Sequence, residues 1–144
     1  MAQLPTSWFG QPPALPEGEE LVASYAANRT QSKRAVGGAL HITSRRVLFQ
    51  PNAMETSLGG RPWSCARDEV VGAGIEPRRF SLLELFSGGL VDRFLLELGD
   101  GRRELFVIND LNRRAEEIRA ILGVPTAKRD LPNARVIKKR PRQD

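Results

Sequence analysis

Apolar and polar residues alternate along most of this chain, and the period of that alternation changes clearly once, near residue 110. Glu20 to Ala27 reads ELVASYAA, which puts Leu21, Ala23 and Tyr25 on one face of a half-buried strand. Asn28 to Arg34 is polar and reads as a loop. Ala35 to Thr43 resumes the alternation with Val36, Leu40 and Ile42 inward, and Arg45 to Gln50 continues it with Val47 and Phe49 inward and Arg46 outward. These segments predict a hairpin, with Gly37 and Gly38 as a bulge or bend where the sheet curves. Pro51 to Pro62 reads as loop, and Trp63 to Arg67 and Glu69 to Glu76 as two further short strands. Phe80 to Phe86 fits a helical turn or a strand equally well. The sharpest hairpin signal is Val91 to Leu98, then Gly99, Asp100 and Gly101, then Arg102 to Ile108, because Asp and Gly tolerate the turn's positive φ.

Beyond Ile108 the period lengthens. Leu111, Ala115, Ile118, Ile121 and Leu122 form one helical stripe, with Asn109 or Asp110 placed to cap its start, Gly123 its end, and Pro125 barring continuation. The order predicts an all-β fold with a C-terminal helix: a bent antiparallel sheet or open barrel of about seven strands, capped by one amphipathic helix. Residues 1–16 form a Pro-rich irregular arm, 17–124 the domain, and 125–144 a basic tail expected to be disordered. Within the arm, Trp8 and Phe9 either fold back on the domain or dock a partner protein.

At 144 residues, with 40% hydrophobic and 27% charged, the chain suits one globular domain. The lone Cys65 excludes an internal disulfide, and no leader-like segment opens the sequence, so a reducing cytoplasmic location is expected, with any membrane contact peripheral at the inner face. The most apolar stretch, Phe80 to Leu98, is interrupted by Glu84, Asp92 and Arg93, so no transmembrane segment is predicted. Lys and Arg total 22 against 17 acids. From Lys128 onward seven basic residues, Lys138, Lys139 and Arg140 among them, face two acids, so the tail accounts for the entire +5 excess. Its attraction for phosphate is non-specific, and without interleaved aromatics it offers no base-stacking platform for nucleic acid.

The segments GEELVASYAA, GGALHITSRRVLF (Gly37 to Phe49) and GLVDRFLLELGDGRRELFVIND resemble a GRAM domain, of the pleckstrin-homology-like superfold, over Glu17 to Gly123. The resemblance implies a non-catalytic module that binds an anionic membrane lipid surface or a protein. It places the lipid site at the loop between the first two strands, where Arg29, Lys33 and Arg34 would grip a phosphate. This chain departs from the family's basic pattern along the second strand, which carries Gly37, Gly38 and Ala39. Arg45, Arg46, Arg78 and Arg79 either extend a basic face or keep sheet edges soluble. Phe80 and Phe86 are candidate partner contacts, or core.

Little here supports catalysis. His41 is the only histidine and Cys65 the only cysteine; neither has a neighbour suggesting a dyad, and His41 is expected to face outward. No metal cluster, phosphate loop or nucleophile elbow is present, so neither a metal nor another cofactor is expected, and the chain reads as no enzyme.

Overall fold

A computed structural model of the chain describes residues 13–77 and 92–127. The expected all-β fold with a C-terminal helix is what forms. β1 (Leu21–Gln31), β2 (Arg34–Thr43), β3 (Arg46–Pro51), α1 (Ala53–Ser57), β4 (Trp63–Ala66), β5 (Val70–Glu76), β6 (Arg93–Leu98), β7 (Arg103–Ile108) and α2 (Leu111–Leu122) follow in order. The strands form one antiparallel sheet, β4-β3-β2-β1-β7-β6-β5, which stays open with β4 and β5 at its edges.

β1 joins the two halves. It pairs with β2 along its whole length but with β7 only at Ala27, Asn28 and Arg29, opposite Ile108, Val107 and Phe106. The alternation read from sequence sets the inner face: Tyr25, Leu40, Ile42, Phe49, Phe94, Leu96 and Phe106 are buried in one cluster. α2 presses Ala115 and Ile118 into that cluster, lying chiefly against β5. Gly123 ends it in the left-handed region at φ 67°.

Five expectations are corrected. The polar segment from Asn28 is not a loop: β1 runs on to Gln31, because Asn28, Arg29, Thr30 and Gln31 find backbone partners in Gly37, Val36, Ala35 and Arg34. Only Ser32 and Lys33 remain to turn the chain, with Ser32 at φ 57°. The loop from Pro51 contains α1, capped by the Asn52 side chain, which accepts the Glu55 N–H at 2.8 Å. Asp110 sits at the start of α2, yet its side chain bonds no helix N–H; its carboxylate instead accepts from Arg113 at 2.6 Å. His41 does lie on the face opposite the core, but that face is closed there and leaves the residue 6% exposed.

The fifth correction concerns the paired glycines. Register between β1 and β2 is unbroken through Gly37 and Gly38, so they form no bulge. Gly38 is needed for close approach: a Cβ there would run into the Gln50 carbonyl oxygen and stand 2.7 Å from Pro51 Cα. Gly38→Ala should therefore push β3 away and cost about 2 kcal/mol. Urea unfolding followed by circular dichroism measures this; an unchanged midpoint would mean the strands separate freely.

Past α2 the chain is still part of the sheet. Thr126 bridges Ala73 in parallel, with Ala73 N–H donating to the Pro125 carbonyl and Ala127 N–H to the Ala73 carbonyl, both at 3.0 Å. The sheet contacts thus continue to Ala127, and the open edge of β5 is partly covered. Among the described residues no helix is long and apolar enough to cross a membrane.

Candidate functional site

The tip of the β1–β2 hairpin, the segment from Asn52 to Pro62 and the start of β7 meet at one end of the sheet. Two hydrogen bonds from one side-chain amide hold the first two together: Gln31 Nε2 donates to the Gly59 carbonyl at 3.1 Å, and its Oε1 accepts the Arg61 N–H at 2.9 Å. Below this clamp α1 is fixed to β2, since Asn52 N–H donates to the Gly37 carbonyl at 3.0 Å and Glu55 accepts from Gly37 N–H at 3.3 Å.

Beyond the Arg29–Phe106 pair, β1 and β7 part, and a groove of about 500 Å³ opens between them. Thr30, Gln31 and Ser32 form one wall, Arg103, Glu104 and Leu105 the other, and Arg61 and Pro62 lie across them. Arg61 is exposed, as is Lys33 beside Ser32. Neither forms a side-chain ion pair among the described residues. Arg103 is tethered, donating to Glu76 at 3.3 Å with Glu97 4.0 Å away.

Of the three cations expected to grip a phosphate, the structure leaves one open. Arg29 is braced between Glu104, 3.0 Å away, and the face of Trp63, 5.6 Å from the ring centroid, with only 14% of its side chain exposed. Arg34 reaches Glu55 at 2.6 Å and the Leu58 carbonyl at 3.3 Å. Both hold the end of the sheet together, while Lys33 faces solvent. Arg46, expected outward, binds Glu19, whose side chain is 3% exposed and also accepts the Thr43 hydroxyl. These bonds hold the Glu19 carboxyl below its usual range, the Arg46 bond foremost. Arg45 is exposed. Trp8, Phe9, Arg78, Arg79, Phe80, Phe86, Lys138, Lys139 and Arg140 lie outside the described residues.

Sequence reasoning passed over Arg61, Met54 and Leu58, all within a stretch read as plain loop. Met54 and Leu58 are 64% and 65% exposed, the largest values among the exposed large hydrophobics of the described residues. Their spacing of four was the available signal, over too few residues for a period to register.

The fold has a counterpart among solved structures. The C-terminal domain of an unknown protein from Leishmania infantum superposes with a TM-score of 0.54 at 15% identity, covering 73% of this chain and 85% of that one. A likeness at that identity speaks to the fold alone. No family model matches the chain, and no curated protein matches it.

Among the described residues, the one pairing with a catalytic look is Ser24 Oγ at 2.7 Å from His41 Nδ1. Both residues are buried, Ser24 at 4% and His41 at 6% exposure, and neither lines the groove. Burial holds the imidazole neutral, pushing its pKa down to about 4. Cys65 is likewise buried and its thiol is pushed up to about 11, chiefly by desolvation, so it is a poor nucleophile. No group of three or more potential metal-ligating side chains forms among the described residues.

Proposed function

We propose that this chain is a non-catalytic binding module that seats an anionic head group at the open end of its sheet and associates peripherally with anionic membrane. The observation that carries the reading is the groove between β1 and β7: Arg61 is exposed on its lining with Lys33 exposed at the neighbouring turn, and the one acid on that lining, Glu104, is paired with Arg29. Exposed cations beside an acid that is already neutralised attract a phosphate or carboxylate group. The resemblance of Gly37 to Phe49 and of the later hairpin to a GRAM domain points the same way, and the tail from Lys128 adds charge at a second place.

Arg29 and Arg34 have a structural role in this reading, and Lys33 and Arg61 make the contact. Each cation near an anionic bilayer contributes on the order of 1 kcal/mol, so a Lys33→Glu/Arg61→Glu variant should lose at least about tenfold in binding to phosphatidylserine-containing vesicles. Co-sedimentation at low and high salt measures this, and a parallel form ending at Ala127 separates the tail's share without disturbing the Thr126 bridge. Equal recovery with pure phosphatidylcholine vesicles, or a charge-reversed variant that binds as well as the parent, defeats the reading.

A further inference from the structure

We propose that Met54 and Leu58 form an apolar wedge that enters the acyl boundary of an anionic bilayer when the domain docks. The inference rests on the membrane reading above and adds to it a contact that charge alone does not supply.

α1 contains no buried residue. Such a short helix has no stability of its own, and it persists through its cap and its ties to β2. Glu55 is drawn toward the sheet by Arg34 and Gly37, and the Gly60 N–H donates back to the Glu55 carbonyl at 2.7 Å. That fastening leaves Met54 and Leu58, one helical turn apart, open to solvent at 64% and 65%. Two large apolar side chains held outward on a fastened turn form a feature that water penalises and an interface rewards.

The occupant follows from charge. Lys33 is exposed at the adjoining hairpin turn, Arg61 is exposed at the far end of the same segment, and Arg34 donates directly to the Leu58 carbonyl. From Asn52 to Pro62 the only acid is Glu55, and its partner is Arg34. An apolar tip with exposed cations on the adjoining turn and at the end of its own segment fits a surface that is apolar within and negative at its rim, as an anionic bilayer is.

The test uses the full chain. Because Cys65 is buried with its thiol pushed up to about 11, Met54→Cys provides one accessible thiol for an environment-sensitive fluorophore. The label should shift to the blue on phosphatidylserine/phosphatidylcholine vesicles and be quenched by lipids carrying a quencher on the acyl chain. Met54→Ser/Leu58→Ser should bind those vesicles about 30-fold more weakly, with its thermal midpoint unchanged because both side chains are exposed. A label that stays in water on vesicles that sediment the protein overturns the wedge, as does a self-association lost in the double serine variant without any change in vesicle binding. If Lys33→Glu/Arg61→Glu leaves binding intact while the label still enters the bilayer, the head-group reading fails and the wedge stands; the converse result fails the wedge alone.

Discussion

A Phe106→Ala variant should be less stable by about 4 kcal/mol, the cost of emptying a fully enclosed aromatic site. Phe106 is 0% exposed, and its ring lies 6.1 Å from Phe49, 5.9 Å from Trp63 and 6.4 Å from Phe94, so strands from both halves of the sheet meet on it. It also stands opposite Arg29 in the last β1–β7 pair before the strands part. Removing the ring would hollow the core and loosen Trp63, over which Arg29 is stacked. Urea unfolding followed by tryptophan fluorescence gives the difference, with Val22→Ala, at a 36% exposed position, as a control expected to change by about 0.5 kcal/mol or less. A loss below about 1 kcal/mol in Phe106→Ala would mean that the surrounding rings collapse into the space.

The second large effect is a fall in stability on acidification, from His41. Its folded pKa of about 4 lies below the ordinary value of 6.5 because burial disfavours the imidazolium. Between those values the unfolded chain takes up a proton that the folded chain refuses. Stability is therefore fully present above pH 6.5, falls by about 1.4 kcal/mol per unit as pH drops, and levels off near pH 4, a total of about 3 kcal/mol. Glu19, whose carboxyl is held below its usual range, begins to lose its contribution only as pH falls through its ordinary value of 4.5, and the chain has no second histidine. Urea midpoints at pH 7 and pH 5 for the parent and His41→Gln isolate the effect. The parent should lose about 2 kcal/mol over that interval and the variant much less; equal losses would place the proton elsewhere.

Where one residue type forces one local geometry, the sequence was readable. Gly101 takes the positive φ of the β6–β7 turn and Gly123 that of the helix end, and the inward positions of β2 and β3 fall where alternation puts them. Where the deciding partner is distant, it was not. Asn28 to Gln31 look like a loop because no apolar alternation marks them, yet β2 supplies each of them with a backbone partner. Arg29 and Arg34 are identifiable as cations, but the carboxylates that claim them stand 75 and 21 residues away. Alternation puts His41 on the face opposite the core; that this face is closed depends on packing that periodicity does not encode.

Gln31 uses both ends of one side-chain amide to join the hairpin tip to the segment carrying Met54, Leu58 and Arg61. Together with the Arg34 bonds to Glu55 and the Leu58 carbonyl, this makes the two connecting loops one preorganised constellation. The ordering entropy such loops would lose on contact has already been met during folding, so weak individual contacts can add rather than be offset.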